Sequence, residues 1–182
     1  MPEPEVRIRG LRVVYGDGRS GVDALGPLDL PADALWGIHT ARSVATLSHS
    51  GRQLGDLPHL VTGLGQVKAA AALANGRAGV LDPEVAAAIV VAADAVAQGL
   101  HRRALVADPL AGGGAIAVHA NVNEVVANLA GLELGSPIGS YRSVHPTATV
   151  SLSQSTADVV HTATRLAVLD RAEVFDATLN HL

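Results

Sequence analysis

Cysteine is missing from this 182-residue chain, which excludes disulfides, thiol nucleophiles and thiolate metal sites. Aromatic side chains are almost missing too: one Trp, one Phe and two Tyr make up 2% of the residues. There is no basic cluster, and the formal net charge is −4, which argues against nucleic acid as a partner. The N-terminus, MPEPEVRIRG, is charged and lacks the apolar stretch of a signal peptide. No uninterrupted apolar run reaches the roughly 18 to 20 residues that a spanning helix requires. These absences lead to the expectation of a soluble, cytoplasmic protein with neither membrane nor nucleic acid as a partner. Alanine, valine and leucine dominate instead. Small side chains let helices approach closely, and alanine has the best helix propensity. An apolar content of 48% is enough for one core, or for one domain with an appendage.

Residues 7–16 (RIRGLRVVYG) alternate in character and predict a short strand. DGRSG at 17–21 is turn chemistry, and LGPLDLP at 25–31 is a second extended piece that can pair with the first. In PADALWGIHTAR, residues 31–42, Trp36 reads as a core anchor and Thr40 as a helix cap unless it serves a site together with Arg42. From Leu57 the chain reads as helices. The segment 60–76 includes VKAAAALAN, whose one charge, Lys68, reads as a solvated or structurally paired lysine rather than a catalytic one. Asp82-Pro83-Glu84 is a helix start with proline in the first turn. The helix that follows, 84–99, is apolar on nearly all sides apart from Asp94 and Gln98, so this chain or another must cover it. ADPLAGGGAIA at 107–117 reads as a glycine-rich loop. No Lys-Ser/Thr pair and no strand-glycine-helix fingerprint accompanies it, which argues against a nucleotide site.

Two later stretches are hard to explain as ordinary packing. NVNEVVAN puts Asn121, Asn123, Glu124 and Asn128 on a segment that is otherwise apolar and helical in period, and buried polar groups at that density need mutual partners. His145-Pro146 then opens an extended piece leading to Gln154-Ser155-Thr156-Ala157-Asp158, where a long helix begins. Ser155 with Asp158 three residues on fits a capping box, with Asp in place of the usual Glu. Eight histidines occur, at 39, 49, 59, 101, 119, 145, 161 and 181, yet no pair has the i, i+4 spacing with carboxylate support of a helical zinc site, so no metal is expected.

Three blocks, PADALWGIHTAR, HANVNEVVANLAGLELG and VHPTATVSLSQSTADVVHTA, stand in an order and spacing that resemble the aspartase/fumarase superfamily, in its aspartate ammonia-lyase and class II fumarase branch. The resemblance runs from about Asp23 to about Asp170 and matches roughly the first third of such an enzyme. It implies a mainly helical fold with a small N-terminal β-hairpin. Residues 1–140 would form the family's N-terminal domain and 141–182 the truncated start of its central helical bundle. It also implies substrate-binding roles for Ser155 and Thr156, at a helix N-terminus, and for Asn121, Gln154, His119, His145, Thr40 and Arg42. No cofactor follows from it.

The family eliminates ammonia or water from a succinate-type dicarboxylate by removing a proton beside a carboxylate, and several preorganised donors must then stabilise the aci-carboxylate. This chain departs from the family pattern at Ile116 and Ala117, where hydroxyls hold substrate carboxylate, and at His119, which replaces an asparagine. Thr147 and Ala148 replace an Asn-Asp pair, and Ala157 replaces the third member of a Ser-Ser/Thr-Asn triplet. The family's serine loop, Gly-Ser-Ser-x-Met-Pro-x-Lys-x-Asn, and its Gly-x-Thr-His segment do not occur in these 182 residues. The expectation is one component of a split lyase, inactive alone and completed by a partner chain carrying the rest. A degenerate structural or regulatory subunit, or a remodelled pocket around His119, is the alternative. The helix after Ser155 carries Val159, Val160, Ala163, Leu166, Ala167, Leu169, Val174 and Phe175, too much apolar surface for a lone helix. Association with the partner chain or with a second copy is expected, and a small dicarboxylate is the expected ligand.

Overall fold

The computed structural model describes residues 21–23 and 25–179. Within them the fold is the expected one, mainly helical with one small hairpin. The strand predicted over 7–16 lies outside the described residues. The second extended piece does form a strand, β2 (Gly26–Leu28), and its antiparallel partner is β1 (Gly21–Asp23), with Gly21 opposite Leu28 and Asp23 opposite Gly26. Gly26 carries a φ of +96°, a conformation that a residue without Cβ adopts at no steric cost.

Five helices follow: α1 (Ile38–Leu47), α2 (Pro58–Arg77), α3 (Pro83–Ala97), α4 (Gly112–Glu133) and α5 (Thr156–Leu179). Local chemistry starts two of them as the sequence predicts. Asp82 accepts hydrogen bonds from the N–H groups of Glu84 (2.9 Å) and Val85 (3.2 Å), with Pro83 in the first turn of α3. Ser155 Oγ accepts from Asp158 N–H at 3.1 Å and donates to the Asp158 carboxylate at 2.6 Å, which caps α5.

Helix α2 lies at the centre, packed on α3 along one side and on α5 along another, while α4 packs on α3 and α1. The close approach depends on glycine. A Cβ at Gly63 would sit 2.6 Å from the Ala163 carbonyl oxygen of α5, and one at Gly65 would sit 2.6 Å from that of Ala93 in α3. The main core includes Val61, Leu64, Ile89, Val96, Leu105, Val122, Val125 and Val126, and it takes in Val159, Val160 and Ala163 at the start of α5. α3 is covered on one side only, since Val91 remains exposed. Among the described residues, no helix is long and apolar enough to cross a membrane.

Four sequence expectations change. The buried polar residues of α4 do not pair with one another. Instead Asn121, Glu124 and Asn128, at i, i+3 and i+7 on one helix face, each hold the backbone of a different segment. Thr40 is no cap, because α1 begins after Gly37; the Glu124 carboxylate reaches from α4 to accept the N–H groups of Gly37 (2.8 Å), His39 (2.9 Å) and Thr40 (3.1 Å). The glycines of the 107–117 stretch lie in the first turn of α4, which is irregular, with Gly113 at φ +80°. The piece from His145 is a run of turns rather than extended chain, because His145 Nδ1 accepts the N–H groups of Thr147 and Ala148, both at 3.1 Å.

Two stability effects follow from this packing. Gly65→Ala forces α2 off α3 and costs about 1–3 kcal/mol, read as a lower urea midpoint. Glu124→Gln leaves part of the α1 N-terminus unpaired at about 1–3 kcal/mol for each lost partner. An unchanged midpoint in the second variant would mean that Glu124 does not hold α1.

Candidate functional site

A cleft of about 390 Å³ opens where the N-terminus of α5 meets the first half of α4 and the turns after His145. α4 contributes Ile116, His119, Asn123 and Glu124; the turns contribute Thr147 and Ser151; Gln154, Ser155 and Thr156 close it from the α5 side, and His39 of α1 reaches its rim. The N–H end of the α5 dipole favours negative charge there, although the Asp158 N–H is already held by Ser155. Asn123 Oδ1 is buried and has no hydrogen-bond partner among the described residues. A larger cleft of about 950 Å³, between Trp36, Gln53 and Arg102, brings together none of the predicted site residues.

Beneath the smaller cleft lies a buried cation. Lys68, from the middle of α2, is 0% exposed. Its Nζ lies 2.7 Å from His119 Nε2 and donates to Gln154 Oε1 at 2.8 Å. Gln154 is itself fixed, because its Nε2 donates to the carbonyls of Val150 (2.9 Å) and Leu152 (3.1 Å). On the other side of the imidazole, His119 Nδ1 lies 2.9 Å from Thr156 Oγ1, and Ser151 Oγ is 3.4 Å from Nε2. Neither of the two acceptors around Lys68 carries a negative charge. Burial therefore pushes the lysine from 10.5 down to about 7. Burial, and then the neighbouring lysine charge, brings His119 down from 6.5 to about 4.

The structure brings His119, Gln154, Ser155 and Thr156 together and leaves the other four predicted residues in structural positions. Asn121 is buried, accepting from Ala107 N–H and donating to the Ala104 carbonyl, both at 3.0 Å. Thr40 is buried in α1, with no partner among the described residues for its hydroxyl. Arg42 forms a two-pronged pair with Asp23, at 2.6 and 2.7 Å, that ties α1 to the hairpin and holds the Asp23 carboxyl below its usual range. His145 is occupied by the turn it caps. Of the two expectations for Lys68, a solvated lysine is incompatible with its burial, and a structurally paired one is what the structure shows. The signal was present: it is the one charge in the segment 60–76, where alanine, valine and leucine predominate.

Linkage gives a pH signature. Between about pH 7 and 10.5 the unfolded chain keeps a proton on Lys68 that the folded chain has lost, so the lysine's contribution to stability rises with pH in that window. His119 behaves alike at lower pH: its contribution is complete above 6.5 and is lost toward 4. The stability gap between Lys68→Met and the parent chain should therefore shift in favour of the parent by on the order of 2–4 kcal/mol from pH 6 to 10. Urea titrations at several pH values measure it, and a constant gap would mean that Lys68 keeps an ordinary proton affinity.

A family model described as lyase matches residues 26–182. The chain is 40% identical over 153 residues to an aspartate ammonia-lyase of Bacillus sp, an overlap of 84% of this chain and 32% of that protein. It is 43% identical over 154 residues to a class II fumarate hydratase of Halobacterium salinarum, across 85% of this chain and 32% of the relative. Among solved structures it is similar to a fumarate lyase:delta crystallin of Brucella melitensis, with a TM-score of 0.80 and 44% identity over 83% of this chain and 34% of that one. The chain spans about a third of the length of the relatives it matches. With its helices, its hairpin and the cleft at the start of α5 all in hand, the chain belongs to the lyase family, in the aspartate ammonia-lyase and class II fumarase branch.

Proposed function

We propose that this chain forms the carboxylate-binding wall of an elimination site, one that removes ammonia or water from a succinate-type dicarboxylate. The observation that carries this reading is the convergence of the Thr156 hydroxyl, the N-terminus of α5 and the buried Lys68 on one cleft. Proton loss beside a carboxylate leaves an aci-carboxylate with additional negative charge, and donors fixed in advance stabilise it without reorganising. Thr156 is the freer of the two hydroxyls, because Ser155 already donates its proton to Asp158. Asn123, at the cleft wall, offers an amide to the same ligand. The names of the similar proteins, aspartate ammonia-lyase and fumarate hydratase, support this choice of substrate class.

The remaining parts of such a site belong to segments outside the third of the relatives that this chain spans. We place them along α5, carried by a second polypeptide or by a continuation of this one. That helix leaves Val168, Leu169 and Phe175 exposed, at 64%, 66% and 62%. A hydrophobic stripe of this kind matches another helix better than water. A second copy of this chain is the alternative occupant. A second functional reading, a structural or regulatory subunit without turnover, has one specific support. Ile116, 71% exposed at the cleft, contributes an apolar side chain where an oxyanion needs donors.

Light scattering on the purified chain, together with an ultraviolet assay for fumarate from aspartate and from malate, tests these readings. The chain alone should associate but turn over neither substrate. Adding a polypeptide that carries the other two thirds of a lyase should produce turnover, which Thr156→Val lowers by on the order of 10²-fold. Turnover by the chain alone would overturn the split assignment. Binding of the second polypeptide without turnover would establish the regulatory reading instead.

A further inference from the structure

The contacts around Lys68 have a direction, and the direction follows from which groups can donate. An ammonium has three N–H donors and no lone pair, so every neighbour within hydrogen-bond reach must accept from it. Gln154 is already oriented to do so, because both of its N–H donors are held by the carbonyls of Val150 and Leu152. His119 must therefore present Nε2 as a bare acceptor at 2.7 Å. A neutral imidazole with Nε2 bare carries its proton on Nδ1. That N–H then faces Thr156 Oγ1 at 2.9 Å and occupies a lone pair of the hydroxyl. The hydroxyl proton cannot point back at a donor. It points to the cleft that Thr156 lines.

We propose that Lys68 is a positioning residue: it sets the tautomer of His119 and, through it, turns the Thr156 hydroxyl proton toward the cleft, so that this end of the site accepts carboxylate oxygens and rejects donors. The assignment rests on the reading of the cleft as a carboxylate site; it adds Lys68, which is fully buried and does not line the cleft, and gives His119 the role of relay. Specificity arises because a carboxylate is an acceptor on every face, whereas an amide or a protonated acid also presents a donor.

The same chain of contacts predicts a pH switch. Once Lys68 loses its proton, near pH 7, its nitrogen gains a lone pair and can accept. His119 is then free to take the opposite tautomer, Thr156 donates inward, and the cleft meets lone pairs instead of a proton. The other titratable groups that face this region are His39 of α1 and Glu124 of α4, both at the cleft, and Asp158 of α5 beside Ser155. Glu124 is engaged by three backbone N–H groups and Asp158 by the Ser155 hydroxyl, so His39 at the rim is the group replaced as a control.

The test uses the full chain labelled with ¹⁵N-histidine, in two arms. Long-range ¹H–¹⁵N spectra at pH 6 report the tautomer, with His119 assigned by its loss in His119→Asn. The expected result is a neutral ring protonated on Nδ1, which gives way to the Nε2–H form in Lys68→Met. A ring protonated on Nε2, or on both nitrogens, in the parent chain overturns the proposal by itself, whether or not the variant folds. In the second arm succinate is the probe, followed by chemical shifts of the cleft residues. Its affinity should fall about tenfold between pH 6 and 8.5 in the parent chain and in His39→Gln, and should be about tenfold weaker at pH 6 in Thr156→Val. A pH-independent affinity with the hydroxyl still required overturns the switch. Nδ1-protonated His119 in a chain that does not bind succinate keeps the tautomer assignment and overturns the carboxylate reading on which the specificity rests.

Discussion

Three buried side chains on one face of α4 hold the rest of this structure in place. Glu124 is the most demanding of them, because a carboxylate taken out of water must be repaid by several donors at once. It obtains them from the start of α1, where a helix necessarily leaves N–H groups unpaired. Each need answers the other. Gly37 is what allows the approach, since a Cβ there would sit 2.7 Å from the Glu124 carboxylate and 2.5 Å from the Tyr141 hydroxyl. Asn121 does the same for the backbone at 104–107, and Asn128 for Leu35 and Gly139. Without these contacts the entry segment, the first helix and the turns before the cleft would have no fixed relation to α4.

A second constraint lies beneath the cleft that Glu124 also lines. Lys68 puts a cation where α2, α4 and α5 meet, and its two named partners are both neutral. Such a residue is expensive, and its lowered proton affinity is the form that expense takes. The helices that surround it cannot simply relax around it, because Gly63 and Gly65 fix α5 and α3 against the same stretch of α2 at backbone contact. Tight packing is thus what keeps water from the lysine, and the lysine is what gives the apolar core an electrostatic connection to the cleft.

The parts of this molecule that could be read from the sequence are those governed by local chemistry. Asp82-Pro83 and Ser155 with Asp158 mark helix starts through contacts within four residues, so their meaning survives without knowledge of the fold. The clustering of His119, Gln154, Ser155 and Thr156 came from the family resemblance, and the structure places them around one cleft. What could not be read were the contacts spanning many residues. Glu124 caps a helix 84 to 87 positions earlier, and Arg42 reaches back to Asp23 across the hairpin. Spacing alone does not distinguish a carboxylate that caps a distant helix from one that serves a ligand. The sequence leaves Lys68 between solvated and paired for a related reason: a charge on an apolar helix face is solvated or buried according to what packs against it, and here that is α4 and the turn before α5, 51 and 86 residues away.

The departures from the family pattern acquire a different meaning once the buried cation is included. Ile116 puts an apolar side chain on the α4 side of the cleft, where the family resemblance implies a donor, while Ala117 is buried away from it. Yet His119, also a departure, is the residue that links Lys68 to the hydroxyl of Thr156. A neutral asparagine amide at that position offers an acceptor and donors on a single rotatable group, which can flip to suit either neighbour. An imidazole separates its donor and acceptor on opposite sides of a rigid ring, so a constraint on one side is transmitted to the other. In the proposed arrangement the donors that hydroxyls would offer at the surface are replaced by the Thr156 hydroxyl, oriented from below by Lys68 through His119. On the proposed reading the cost is dependence on the lysine's proton, and such a site would bind an anion best where that proton is retained.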